Sequence, residues 1–234
     1  MPTSIYDINR KHTINNQYFD NITTQEQAYW LGFIWADGSI SQTAKRCSGR
    51  NRLTIAQKID EKDHLQKFAN SLNSNTTISI RTPFANKQVA SISINSRPIC
   101  QQLEQLGYGT KQERIHVPKI PKPLLRHFIR GYFDGDGCLS IYKQQVKQWT
   151  INRQEWSITG TLDLLKEIKE ILNQNTNVSP NVKLKTYNRT SKAVSLRYGK
   201  KSDIDALYHY MYDNASIYLE SKHQKFLEFY SKQS

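Results

Sequence analysis

Two aspartate–glycine pairs, Asp37-Gly38 and Asp136-Gly137, are the residues of this sequence best placed to do chemistry. Each closes a segment with small residues four apart: Gly32 and Ala36 before the first, Gly131 and Gly135 before the second. In a helix such residues share one face and let two backbones approach closely. A mid-helix glycine costs about 0.5–1 kcal/mol relative to alanine, so the same expense at matching positions points to two helices packed together there. Asp37 and Asp136 then meet at the same end, where each helix dipole is already negative and an acid is unfavourable. A divalent cation such as Mg²⁺, a hard ion suited to oxygen ligands, relieves that repulsion. Metal bridged between two carboxylates and a phosphate makes a phosphodiester-hydrolysis site. One Asp-Gly would read as a turn. Two, each ending a small-xxx-small helix with glycine as the stop, read as a site. A calcium-loop reading of Asp134-Gly135-Asp136-Gly137 fails, because Cys138 and Leu139 stand where an acid or amide and then a glycine are required.

The elements that position these acids are themselves repeated. Asp63, Leu65, Phe68, Leu72 and Asn73 align with Asp163, Leu165, Ile168, Leu172 and Asn173, about one hundred residues later, and the two motif segments align at nearly the same offset. Their apolar positions step by three or four, which is the period of an amphipathic helix. The first motif helix is expected to start at Thr23 or Thr24, since Thr23-x-x-Glu26 and Thr24-x-x-Gln27 both have capping-box form. The second is expected to start after Pro121 and Pro123. The proline-dense run 117–123 reads as a linker between halves 1–116 and 124–234. Each half then reads α-β-β-α-β-β-α, an α+β fold. Strand pairs are expected near 39–59 and 76–95, then near 138–160 and 181–198; the closing helices are expected near 96–107 and 202–231. Ile78 and Ile80, Ile92 and Ile94, Val182 and Leu184, and Val194 and Leu196 alternate with polar residues. That pattern gives sheets covered by helices on one side only. The open faces are mostly basic or neutral hydrogen-bonders, a composition suited to phosphates and base edges.

The bulk composition agrees. The 234 residues carry a formal net charge of +13, with 37% hydrophobic and 23% charged residues, so a packed core is affordable. The cationic excess points to a polyanion. No apolar run approaches the roughly 18–20 residues of a spanning helix, so nucleic acid is favoured over a membrane. The polar start of the chain carries no signal-peptide pattern. Cys47, Cys100 and Cys138 show no CxxC spacing. They are expected to serve packing in a reducing intracellular compartment, not disulfides or zinc.

The two nonapeptides, WLGFIWADG at 30–38 and IRGYFDGDG at 129–137, resemble the paired motifs of the LAGLIDADG homing endonucleases in their single-chain form. The resemblance runs from about Thr23 to Tyr230. It implies two αββαββα halves related by a pseudo-twofold axis, with a saddle-shaped sheet along the DNA major groove. It also implies site-specific hydrolysis of both strands of a long, non-palindromic DNA target by a monomer, in a prokaryotic cytoplasm or an organelle. Metal ligation falls to Asp37 and Asp136, with Ala36 and Gly135 beside them; Mg²⁺ is the expected cofactor, with Mn²⁺ or Ca²⁺ able to occupy the site. Gln57 matches a polar active-site position, and Gly160 holds the corresponding place in the second half. Lys111 and Lys222 match a lysine found near the family's active site; each also reads as one more surface cation. Trp35 departs from the motif at its sixth position, where Asp134 keeps the acid.

DNA contacts are expected from strand parity at Ser41, Thr43, Lys45, Arg50, Arg52, Thr54 and Arg81. The second half would add Ser140, Tyr142, Gln144, Arg153, Ser157, Lys183, Lys185 and Arg197. The alternatives are an RNA-binding intron maturase and a non-cutting DNA-binding regulator on the same scaffold. Retention of both acids argues against a maturase without nuclease activity.

Overall fold

The computed structural model describes residues 13–41, 51–84, 87–186 and 193–231. The elements in chain order are α1 (Gln25–Asp37), β1 (Gly38–Ser41), β2 (Arg52–Lys58), α2 (Lys62–Ser71), β3 (Ser79–Phe84), β4 (Lys87–Asn95) and α3 (Arg97–Gln105). Then follow α4 (Leu125–Asp136), β5 (Gly137–Val146), β6 (Trp149–Gly160), α5 (Leu162–Asn175), β7 (Lys185–Thr186), β8 (Val194–Tyr198), α6 (Lys201–Tyr212) and α7 (Glu220–Ser231). The strands form two antiparallel four-stranded sheets of the same order, β1-β2-β4-β3 and β5-β6-β8-β7. The expected order of elements is present in both halves, with one difference: the closing helix near 202–231 is two helices, α6 and α7. Asn214 adopts a left-handed φ of 57° in the break between them.

The chain divides into two compact units. One comprises the described part of Met1–Asn21 with Gly38–Leu103; the other comprises Ile22–Asp37 with Glu104–Ser234. In the first unit, α2 covers one face of β2 and β4. Leu53, Ile55, Ile92 and Ile94 of the sheet are buried with Leu65, Phe68 and Leu72 of the helix. Ser39, Ser41, Arg52, Thr54, Ser93 and Asn95 share the opposite face by register. Ile80 has core-side parity, paired with buried Ala90. It is nonetheless 47% exposed, because β3 is the edge strand.

In the second unit α5 packs on β6 and β8, and α7 packs on β5. Leu139, Trp156, Ile158, Leu196 and Tyr198 meet Leu165, Ile168, Leu172 and Phe226 in the core. Val182 and Leu184 are not in a strand, and among the described residues β7 is Lys185–Thr186. Lys183 therefore lies in an irregular segment, and its face cannot be argued from strand parity. Cys100 packs in the core as expected, but Cys138 is exposed; it sits on the open side of β5, with Sγ 3.2 Å from Ser140 Oγ. Among the described residues no helix is long and apolar enough to cross a membrane.

Candidate active site

The site begins with α1 and α4, both in the second unit. Every residue of α1 from Ala28 to Ala36 is buried, as expected of a helix that is apolar all round. Thr24 caps its start: Gln27 N–H donates to Thr24 Oγ1 at 3.2 Å, and Thr24 N–H donates to Gln27 Oε1 at 3.1 Å. That is the capping box read at Thr24. α4 begins after a 3-10 turn at Lys122–Leu124. The two helices interlock by their glycines. A Cβ on Gly32 would strike the carbonyl oxygen of Phe128, and a Cβ on Gly131 would strike that of Tyr29. The contact is reciprocal and backbone to backbone, so only glycine fits at either place.

One turn further on, a Cβ on Gly135 would meet Ala36 Cβ and lie 3.2 Å from Asp37 Oδ2. The Asp37 carboxylate thus rests against the residue that precedes Asp136. Burial raises the proton affinity of Asp136; the charge of Asp37 adds to the rise, while Lys111 and Arg114 oppose it. Gly137, which ends α4, has φ −90° and ψ 165°. It is not a left-handed helix stop, as the Asp-Gly pattern suggested. Glycine is required there because a Cβ would collide with the ring and carbonyl of Phe133.

Three cations lie at the ends of the two motif helices. Lys111 Nζ lies 3.6 Å from Asp136 Oδ2. It stands on a turn closed at both ends: Thr110 N–H donates to Glu113 Oε2 at 2.7 Å, and Glu113 N–H donates to the Thr110 carbonyl at 2.9 Å. Lys222, in the first turn of α7, donates to the carbonyl of Gly137 and lies 5.9 Å from the centre of the Phe133 ring. Arg114, which sequence reasoning missed, is 5% exposed. Its Nη1 donates to the Trp35 carbonyl at 2.6 Å, its Nε donates to the Gly109 carbonyl at 3.1 Å, and its Nη2 meets the Tyr108 hydroxyl. The guanidinium thereby satisfies a carbonyl in the last turn of α1, where a helix leaves acceptors unpaired. Burial lowers the Arg114 proton affinity, and Tyr108, Tyr132 and Asp136 restore part of it.

Asp134 belongs to a separate arrangement. It is 1% exposed and accepts from Tyr212 Oη at 2.6 Å, Leu219 N–H at 2.7 Å and Tyr29 Oη at 2.8 Å. Burial pushes its pKa up to about 6 against those donors and Arg130. Arg130 donates to the carbonyls of Met211, at the end of α6, and Ile217, within the α6–α7 break. The break that divides the expected closing helix is therefore held by Asp134 and Arg130, neither of them local in sequence to it.

The structure thus gathers Asp37, Asp136, Ala36, Gly135, Lys111 and Lys222. Gln57 lies half-buried in β2 of the first unit, opposite Ala90. Ser41, Arg52, Thr54 and Arg81 share the uncovered face of the first sheet. Ser140, Tyr142, Gln144, Arg153, Ser157, Lys185 and Arg197 share that of the second. Arg197 is partly neutralised there, with Nη1 3.2 Å from Glu155 Oε1. Thr43, Lys45 and Arg50 lie outside the described residues.

The donor set suits a hard divalent ion. Burial, with a smaller contribution from the charge of Asp37, disfavours the ionised form of Asp136, and Lys111 and Arg114 oppose that. Among the described residues no group of three or more His, Cys, Asp or Glu could hold a metal. Two carboxylates with the remaining positions left to water, carbonyl or phosphate oxygens suit Mg²⁺, which keeps much of its hydration, and not a closed zinc site.

Residues 123–212 match the sequence family described as LAGLIDADG-like domain. No curated protein matches the chain in sequence. Among solved structures, the LAGLIDADG meganuclease I-CpaMI bound to uncleaved DNA is similar at a TM-score of 0.61 and 15% identity, over 89% of this chain and 90% of that one. I-AabMI bound to uncleaved DNA is similar at 0.60 and 12%, over 87% and 88%. I-SmaMI, bound to an uncleaved DNA target in the presence of calcium ions, is similar at 0.54 and 12%, over 81% and 85%. At such identities the likeness is one of fold.

Proposed function

From a fold similar to that of the LAGLIDADG meganucleases, together with the match of residues 123–212 to a LAGLIDADG-like domain, we infer a metal-dependent endonuclease that hydrolyses both strands of a specific DNA duplex. The observation that carries this reading is the pairing of Asp37 and Asp136 at the adjoining ends of two glycine-notched helices, with Lys111 beside Asp136 and with Arg114 and Lys222 on the backbone carbonyls of Trp35 and Gly137. Asp37 and Asp136, with Ala36 and Gly135 beside them, would hold the divalent ion. When bound, that ion supplies the Lewis acidity that activates water and stabilises the leaving oxygen. Lys111 and Lys222 would stabilise the charge that develops on the scissile phosphate electrostatically. Arg114 fixes the last turn of α1, and so the direction of Asp37.

Each unit contributes a polar sheet face for recognition. Because Ser41, Arg52, Thr54 and Arg81 differ from Ser140, Tyr142, Gln144, Arg153, Ser157, Lys185 and Arg197, the target is long and lacks true two-fold symmetry. The chain works as a monomer, since both acids come from one polypeptide. Incubation with a plasmid library and Mg²⁺ tests the reading: discrete double-strand breaks are expected, and Asp37→Asn or Asp136→Asn abolishes them while DNA binding persists. Scission that survives either change would overturn it, and tight intron-RNA binding without cleavage would favour the maturase instead.

A further inference from the structure

Gly160, the last residue of β6, stands where the first half carries the polar Gln57, and the structure shows what fills the space. A Cβ on Gly160 would lie 2.6 Å from Tyr132 Oη and 3.2 Å from Leu165 Cδ2. The phenol therefore occupies the volume that a side chain at 160 would need. Tyr132 precedes Asp136 by four residues on α4, so the two share a helix face. It is 3% exposed, and its hydroxyl donates to the Thr159 carbonyl at 2.7 Å. That hydrogen bond offsets the cost of burying the hydroxyl and fixes the direction of the phenol. Burial and the charge of Asp136, with a smaller contribution from Asp37, raise the Tyr132 pKa against the opposing charge of Arg114, so the phenol stays protonated. With its one proton committed to Thr159, the oxygen still offers lone pairs as acceptors.

We propose that Tyr132 is a positioning residue of the acid site. Its hydroxyl substitutes for the polar side chain absent at Gly160, ties the end of β6 to the helical turn that carries Asp136, and accepts a hydrogen bond from water held between the acids. The proposal rests on reading the acid pair as a divalent-ion site. Partners of this kind, one step removed from a metal, typically change metal affinity or activity by about 10–100-fold when removed.

Four full-length proteins test it: the parent, Tyr132→Phe, Gly160→Ser and the double variant. Each is followed by thermal melting, by calorimetric titration with Ca²⁺ alone, and by DNA cleavage at saturating DNA. Tyr132→Phe should melt near the parent, bind Ca²⁺ about tenfold more weakly and cut bound DNA about tenfold more slowly, with DNA affinity unchanged. Gly160→Ser alone should melt lower, because its Cβ strikes the phenol oxygen. The double variant should regain the melting temperature and part of the Ca²⁺ affinity, since the serine hydroxyl enters the space that the phenol oxygen leaves. Parental Ca²⁺ affinity in Tyr132→Phe overturns the proposal. So does a double variant that melts like the parent yet recovers no affinity, and so does a parent that binds no Ca²⁺. If Ca²⁺ affinity follows the expected pattern while no protein cuts DNA, the nuclease reading falls and the role of Tyr132 stands.

Discussion

Replacing Gly131 with alanine probes how closely the two motif helices must sit. The added methyl would overlap the Tyr29 carbonyl oxygen and lie 2.9 Å from the Phe33 nitrogen. Both are backbone atoms of α1 and cannot rotate aside. To restore a contact near 3.5–4 Å, the helices must part by on the order of 1 Å. That loosens the rings of Tyr29, Phe33 and Phe128, all fully buried. Overpacking of this kind costs about 1–3 kcal/mol, and the rigid obstacle places Gly131→Ala at the upper end. Alanine's better helix propensity returns roughly 1 kcal/mol, for a net loss of about 2 kcal/mol. In a chain of this size that lowers the melting temperature by about 4–8 °C. Gly32→Ala strikes Phe128 O and Tyr132 N in the mirror-image way, and one parting of the helices accommodates both methyls. The double variant should therefore be more stable than the sum of the single losses by about 0.5–3 kcal/mol. The same parting draws Asp37 away from Gly135 and Asp136, so cleavage well below the melting temperature should fall further than stability does. Urea denaturation of the four proteins, with plasmid scission at 25 °C, measures both. A Gly131→Ala variant as stable as the parent, or strictly additive losses, would refute the interlock.

Three further changes probe other parts of the molecule. Arg114→Met should cost about 3 kcal/mol in urea denaturation, because the Trp35 and Gly109 carbonyls lose buried donors; Arg114→Lys should not rescue it, since an ammonium cannot span both as the planar fork does. Burial lowers the His64 pKa to about 3, so the folded form stays neutral while the unfolded chain takes up a proton below pH 6.5. Stability should therefore fall as pH drops from 6.5 toward 3, with roughly 1.5–2 kcal/mol of that loss above pH 5; His64→Leu should lose correspondingly less between pH 7 and pH 5 in paired denaturation curves, and equal losses would contradict the assignment. Trp149, 67% exposed at the tip of the β5–β6 hairpin, faces the same side as Tyr142 and Arg153; Trp149→Ala should weaken DNA binding by about 1–3 kcal/mol without changing the slope of affinity against salt, as expected for stacking and not phosphate pairing.

The acid pair was legible because its signal is local and repeated. Two helices notched at the same spacing, each ending in Asp-Gly, can be read without knowing what surrounds them. The interlock of Gly32 with Phe128 and of Gly131 with Tyr29 is that reading made geometric. The α6–α7 break was not legible. Its sequence, from Asp213 to Leu219, contains no proline or glycine, and it is held by Asp134 and Arg130 through contacts that span 81 to 87 residues of sequence. Arg114 escaped notice for the same reason: nothing near it in sequence announces that its guanidinium will meet the end of α1. Edge strands carry a weaker signal still. Alternation at Val182 and Leu184 looks like a strand, but among the described residues the outer edge of β8 pairs with Lys185–Thr186 alone, and alternation cannot say where pairing stops. Glycine misled in one respect. At Gly137 it answers to the Phe133 side chain and not to a left-handed turn.

The sixth motif position shows how the two copies reach one end by different chemistry. In the first copy it is Trp35, whose ring packs on Tyr108 with centroids 5.2 Å apart and whose carbonyl takes the Arg114 guanidinium. Those two partners flank the turn that carries Lys111. In the second copy it is Asp134, which accepts from the Leu219 N–H. Leu219 immediately precedes α7, and its carbonyl accepts from the N–H of Lys222 at 3.0 Å. Each sixth residue therefore anchors the segment that brings a lysine to the acids, by ring packing in one copy and by a buried carboxylate in the other. Trp35 is for this reason not a decayed acid. A carboxylate at 35 would lie between the rings of Tyr108 and Phe128, while the Tyr29, Tyr212 and Leu219 donors that stabilise one in α4 already serve Asp134. Such a burial costs several kcal/mol when the donors are missing. The asymmetry of the motifs thus follows from what each half places beside its helix.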